Sequence, residues 1–350
     1  MGKRFIPEEV VDSIIQEGRT EIPKEELEQK RHVAPNELWI KDTRLRKPVM
    51  PPKPDETLPR KGADGLIKTS YLDLLRDGAI ELGENRIRLL SRTPVGGGGF
   101  GNVYKAFDEK LGMPVALKVG RSMNKTFDLE REAKAAANIN HPGVIKIYDF
   151  TIQNTPDGRG LPVIVEEFMD PKEAPCLHDK LRLVGHLYPR EIEKAVAELS
   201  QTIDYLYFKK GILHGDLKPA NIFLDSNFTK IGDFGIASSV RNDAFGTSLY
   251  AAPEKFSEDD APSLKSEVYS LGVITFEMVT GHLPLNGANE SMFDVNYFYM
   301  EKMGAIYSKT QTERLRVVLT KVLSINPEDR YKTATEFSKA LEDALKEGPI

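Results

Sequence analysis

Apolar residues change their period several times along this chain, and each change marks an element. Leu66, Leu72 and Leu75 sit at helical spacing, with Ile67, Tyr71 and Leu74 beside them, and Gly78 is placed to stop that helix. Residues 79–90 carry Gly83, Glu84 and Asn85 at their middle and predict a hairpin. β-branched and aromatic residues over 103–107, 114–119, 144–150 and 162–168 predict strands. Residues 127–138 return to helical spacing, with Leu129, Ala133, Ala136 and Ala137 on one face. A long helix is predicted over 189–210. Pro189 suits its first turn, Ile192, Val196, Leu199, Ile203 and Leu206 form its apolar stripe, and Gly211 ends it. Apolar runs at 222–224 and 228–231 predict two short strands joined by a turn. Residues 267–281 are apolar on nearly every side, as a central buried helix should be. Thr333 and Glu336 have the spacing of a capping box, with Phe337, Leu341 and Leu345 facing inward beyond them.

The same pattern divides the chain. Residues 1–60 stand apart. Pro7, Glu8 and Glu9 can open a short helix bearing Val11, Ile14 and Ile15, and the mostly charged residues 24–31 can form a second, exposed helix. Residues 47–59 hold five prolines and read as an extended linker. Trp39, the only tryptophan, is either a local packing anchor or a docking contact in cis or to a partner; docking in cis is the expectation. Residues 61–85 lead in with the helix and hairpin. Residues 86–169 form a small β-rich part and residues 170–346 a larger helical part.

Composition narrows the class. Hydrophobic residues make up 40% and charged residues 29% of the 350, which fits a globular protein. A net charge of −5 supplies no basic field for nucleic acid. The single cysteine, Cys176, excludes an internal disulfide and suits a reducing compartment, so a cytoplasmic location is expected. No apolar run reaches the roughly 18–20 residues of a membrane span, and Glu277 interrupts the longest candidate.

The candidate chemistry lies where these elements meet. A hairpin over 222–231 brings its outer ends together, and with them Asp216, Asn221 and Asp233. Two carboxylates and an amide oxygen are hard donors that suit Mg²⁺, which also takes phosphate and water. Upstream, Gly96, Gly98 and Gly101 have G-x-G-x-x-G spacing, with Val103 two residues on. Dinucleotide-binding folds share that spacing, but there the turn opens a helix. Here a strand follows, so the loop joins two strands and its amides are placed over phosphates. Lys118 is alone in an apolar strand, and Glu132 falls on the packed face of the next helix. A charge in either place is costly without a partner, and one ion pair serves both; Glu130 is the other candidate by position.

His214-Gly-Asp-Leu-Lys-Pro-Ala-Asn221, followed by Asp233-Phe-Gly235, resembles the catalytic core of the eukaryotic-type (Hanks-type) Ser/Thr protein kinases. Over residues 86–346 the resemblance implies an α+β bilobal fold with a small β-rich N-lobe and a larger helical C-lobe. It implies that Asp216 is the catalytic base, that Lys218 steadies the γ-phosphoryl group, and that Asn221 and Asp233 hold Mg²⁺ on ATP. Lys118 and Glu132 become the pair that clamps the phosphates; the spacing from Glu132 to His141 matches the family better than Glu130 does. Gly96, Gly98, Gly101, Val103 and Ala116 surround the nucleotide, and Glu167 and Met169 offer backbone groups to adenine. Residues 246–254 resemble the platform that seats a protein substrate, and Glu254 pairs with Arg330.

Three positions depart from the family. Glu166, at the back of the pocket, stands where an apolar residue is more usual, which predicts a buried carboxylate in need of a partner. Glu267 replaces the usual Asp. Gly215 replaces the Arg that contacts an activation-segment phosphate, Asp243 stands where a regulatory phosphothreonine often sits, and no Ser or Thr lies between Ser239 and Thr247. The expected enzyme transfers phosphate from ATP to protein Ser or Thr hydroxyls without activation-segment phosphorylation. Small-molecule phosphotransferases of the aminoglycoside or choline kinase type share His-Gly-Asp-Leu, but Lys218, Phe234-Gly235 and the platform count against them. A pseudokinase scaffold would be expected to have lost Lys118, Asp216 or Asp233, and all three are present.

Overall fold

The computed structural model describes residues 79–82, 85–91, 93–97, 101–120, 139–154, 160–233, 248–256, 263–284 and 306–346. The extension, the helix predicted over 66–75, Gly98, Glu132 and residues 234–247 lie outside these. Contacts group the chain into two units interleaved in sequence. One takes the described parts of Met50–Lys180 and Tyr205–Arg241; the other takes Leu181–Asp204 and the described parts of Asn242–Ile350.

The first unit is built on an antiparallel sheet. Its strands are β1 (Ala79–Leu82), β2 (Asn85–Leu89), β3 (Gly96–Gly97), β4 (Gly101–Asp108), β5 (Met113–Gly120), β6 (Ile147–Asn154) and β7 (Gly160–Glu167), in the order β1-β2-β4-β5-β7-β6 with β3 on β4. The predicted hairpin at 79–90 is β1 paired with β2. Strand alternation splits β5 between two faces. Val115, Leu117 and Val119 join Ile87, Tyr104, Ala106, Val163 and Val165 in one apolar core, which turns Ala116 and Lys118 to the opposite face. Gly101 is a steric requirement of this sheet: a Cβ there would lie 2.0 Å from the Val119 carbonyl oxygen, so only glycine lets β4 approach β5.

The strand expected over 144–150 begins instead at Ile147. The three residues before Lys146 pair elsewhere: Val144 bridges Ile231 in parallel, the Ile145 amide donates to the Ile231 carbonyl at 3.0 Å, and the Ile231 amide donates to Gly143 at 2.9 Å. Ile231 belongs to the predicted hairpin, which consists of β8 (Ile222–Phe223) and β9 (Lys230–Ile231).

The second unit is helical and takes in the end of α1 (Leu177–Val184), with α2 (Pro189–Tyr205), α3 (Leu264–Thr280), α4 (Lys309–Val322) and α5 (Ala334–Leu345). All five stripe residues predicted for α2 are buried. The helix does not run unbroken to 210: after Tyr205 it widens into a π-turn at Leu206–Lys210, and Gly211 ends it in the left-handed region at φ 65°. α3 is buried along almost its whole length, as its all-round apolar pattern requires. At α5 the expected capping box is half formed. Thr333 Oγ1 accepts from the Glu336 amide at 3.0 Å, but the Glu336 carboxylate takes the Lys332 amide at 2.8 Å. Asp204, at the end of α2, accepts from the Ala334 and Thr335 amides at 3.0 and 2.9 Å. A carboxylate there satisfies two orphan donors at the positive end of a helix.

Candidate active site

The candidate reacting groups among the described residues all lie in the first unit. Lys118 is directed to its face by the alternation of β5 and is only 3% exposed. Its Nζ reaches Asp233 Oδ1 at 2.7 Å. Glu132, the partner expected from the sequence, is outside the described residues. Desolvation raises the Asp233 pKa, but the charge and hydrogen bond of Lys118 outweigh it and hold the carboxyl below its ordinary value. Asp233 still opens 45% of its side-chain surface to solvent, leaving an oxygen for another ligand. Among the described residues it is the only non-glycine with positive φ, at 56°. Asp tolerates that region better than most residues, and a strained backbone at this position is a mark of functional demand.

His214 joins the loop to the hairpin. It is buried. Its Nε2–H donates to the Gly232 carbonyl at 3.0 Å, and its Nδ1 accepts from the Asp216 amide at 3.3 Å. Gly215, between them, has φ 83°, so the turn that presents Asp216 depends on glycine. Asn221 continues the link. Its Nδ2 donates to the Asp216 carbonyl at 2.9 Å, with longer contacts of 3.5 Å to Asp216 Oδ2 and the Asp233 carbonyl, while the Asn221 carbonyl accepts from the Gly232 amide at 3.0 Å. Asp216, Asn221 and Asp233 are thereby brought to one spot. Lys218 Nζ sits 2.6 Å from Asp216 Oδ2. Asp216 Oδ1 is buried, and none of the described residues donates a hydrogen bond to it. The joining role of His214 was missed at sequence level; the signal was an imidazole between two apolar segments.

Around this centre, Gly96 pairs with Val103 and Gly97 with Asn102, so the glycine run does join two strands. Ala116 is buried and paired with Glu166. Glu166 itself corrects an expectation. It is half-buried, because β7 emerges at its last two residues. Glu167 turns its side chain to Lys230, 2.6 Å away, and donates its amide to Lys146 at 2.8 Å. Met169 is half-buried just beyond. Lys105 reaches Asp170 at 3.2 Å and lies 4.4 Å over the Phe168 ring. Cys176 donates its thiol to the Pro219 carbonyl at 3.3 Å, and burial pushes its pKa up, so it is a structural, unreactive thiol.

The family pattern of protein kinase domains matches residues 90–342. The chain belongs to the protein kinase family. The relatives it matches are named serine/threonine-protein kinases. It is 34% identical over 262 residues to serine/threonine-protein kinase PknB of Mycobacterium tuberculosis, covering 69% of this chain and 40% of that protein. It is 28% identical over 293 residues to a probable PknB of Bifidobacterium longum, covering 77% of this chain and again 40% of the relative. The chain therefore spans well under half the length of these relatives. The kinase domain of PknI from Mycobacterium tuberculosis has the same fold, with a TM-score of 0.56 at 23% identity over 77% of this chain and 99% of that one. The expected α+β bilobal kinase fold is thus established. Among the described residues no helix is long and apolar enough to cross a membrane.

The second unit contains the other kinase pair. Arg330 meets Glu254 through two bonds of 2.6 and 2.8 Å, and Ser266 donates to the same carboxylate at 2.9 Å. The remaining guanidinium donors reach the carbonyls of Ser324, Lys265 and Ile325. All five N–H groups of Arg330 are used, and the cation lies 4.7 Å over the Tyr269 ring.

Proposed function

We propose that this kinase domain transfers the γ-phosphoryl group of ATP, with Mg²⁺, to Ser or Thr hydroxyls of a protein substrate. The observation that carries the reading is Asp216. One of its oxygens is engaged by Lys218, and the other is buried beside Asn221 and Asp233 with no donor among the described residues. A buried carboxylate oxygen left unsatisfied costs stability, and a hydroxyl donor is the group that completes it.

The residues present fit the implied cofactors. Asn221 spends its amide Nδ2 on protein acceptors, which leaves Oδ1 as its remaining polar atom, and Asp233 keeps one carboxylate oxygen accessible. Together they are an oxygen donor set for Mg²⁺, which neutralises phosphate charge when bound. Lys118 holds Asp233 ionised and offers the phosphates a fixed cation. Asp216 accepts the hydroxyl hydrogen bond, orients the oxygen and takes its proton as the oxygen–phosphorus bond forms and the bond from the γ-phosphorus to the bridging oxygen breaks, releasing ADP. Lys218, bonded to the same carboxylate, balances charge on the transferred group. Backbone groups of Glu167 and Met169 receive the adenine. Cytoplasmic residence belongs to the same proposal, on the single inert thiol.

Asp216→Asn should lower kcat by about 10²–10⁴-fold with the melting temperature nearly unchanged, since the lost oxygen has no donor among the described residues. Near-normal turnover by the folded variant would overturn the assignment of the base.

The enzyme is also proposed to work without activation-segment phosphorylation. Gly215 has no side chain to receive a phosphate, and its φ of 83° disfavours the Arg common there. Phosphatase-treated protein carrying Ser238→Ala and Ser239→Ala should keep its first-turnover rate on a protein substrate. A fall of orders of magnitude would contradict this.

A further inference from the structure

Lys230 takes part in none of the chemistry described above, yet its position is unusual for a lysine beside a hairpin turn. Such a side chain ordinarily extends into water. This one is 16% exposed and ends 2.6 Å from Glu167 Oε1, whose side chain is 26% exposed. The second carboxylate oxygen of Glu167 accepts from the Lys146 amide at 3.3 Å. Two short polypeptide segments are fastened by this contact. Glu167 ends β7, at the point where backbone groups are proposed to receive adenine. Lys230 opens β9, three residues before Asp233 and paired with Phe223 of β8, which follows Asn221.

Between the two runs residues 143–146. They hydrogen-bond to Ile231 through Gly143 and Ile145, and to the Glu167 amide through Lys146. A ladder of backbone bonds thus leads from the base-recognition strand to the metal hairpin, and the Glu167–Lys230 pair spans it directly. Just beyond this ladder, the pairing of β6 with β7 has a register irregularity between Ile147 and Asp149.

We infer that Glu167 and Lys230 are a positioning pair that fixes the distance between adenine recognition and the phosphate–metal end of the site. The inference rests on the nucleotide reading proposed above. A bridged ligand gains affinity when its two subsites are held at the spacing it spans, because the second contact is then made without further loss of freedom. Neither residue need touch the reacting atoms. Breaking the pair should leave each subsite able to bind its own fragment and weaken only ligands that occupy both.

The test compares adenosine with a non-hydrolysable ATP analogue plus Mg²⁺, by calorimetry, on the full chain. Wild type is set beside Lys230→Met, Glu167→Gln, the double variant, Lys230→Arg, and the exchanged pair Glu167→Lys with Lys230→Glu. In Lys230→Met the analogue should bind about tenfold more weakly while adenosine changes less than about twofold, and Glu167→Gln should weaken the analogue by a similar factor. The double variant should be no worse than either single one. Lys230→Arg, which preserves the ion pair, should stay near wild type, and the exchanged pair should recover most of the loss. Equal weakening of both ligands, additive singles or no change in either ligand would each overturn the positioning role. Failure of the wild type to bind the analogue would instead refute the nucleotide reading, and the positioning role with it.

Discussion

Glu254 and Arg330 form a buried ion pair whose value depends on complete satisfaction. A guanidinium out of water is costly, and here every donor has an acceptor. Burial alone would raise the Glu254 pKa, but the bonds from Arg330 and Ser266 lower it below the ordinary carboxylate value. A carboxyl depressed in the folded state adds stability above its unfolded pKa, and that stability is lost as pH falls through the folded value. Glu254→Ala should therefore cost about 3–5 kcal/mol near neutral pH, by leaving the cation unpaired. The gap from wild type should narrow once pH drops below roughly 4.5. Chemical denaturation at several pH values measures both. Tyr331 behaves conversely: burial, with the charge of Glu336, pushes its phenol up to about 12, so it stays neutral across this range.

At the scale of elements, α5 begins on a side chain from another helix. Asp204→Ala removes two charge-assisted bonds from its first turn and leaves Thr333 as the remaining side-chain cap described there. A loss of about 1–2 kcal/mol in urea, with catalytic constants unchanged, is the expected outcome. That cap was illegible in the sequence, because its donors and acceptor are 130 residues apart. What could be read was local. The stripe of α2, the all-round apolarity of α3 and the hairpin around Asp225 follow from neighbours a few residues away. Lys118 could be singled out, since an isolated cation in an apolar strand demands a partner, but its contact with Asp233 could not. Glu166 was misplaced for a related reason: alternation predicts which face a strand residue takes, not where the strand leaves the core. The half-formed box at Thr333 shows the same limit, because Glu336 fits two neighbouring amides equally well by spacing.

On the scale of the whole molecule, the proposed catalytic groups among the described residues belong to one unit whose two chain segments are separated by residues of the other. Family membership and the order of its signatures were legible, because those signatures are short and contiguous. The interleaving was not, because it arises from contacts between distant segments. It has a consequence for synthesis on the ribosome. Lys118 is made 115 residues before Asp233. At bacterial or eukaryotic elongation rates of ~5–20 residues per second, the delay is roughly 6–23 s. Through that interval β5 carries an ammonium group whose Asp233 counter-charge does not yet exist. Pulse proteolysis of stalled nascent chains should show β5 and β7 becoming protected only after Asp233 has cleared the exit tunnel. Until then Lys118 lacks its Asp233 partner, and the order of the chain keeps the nascent kinase silent.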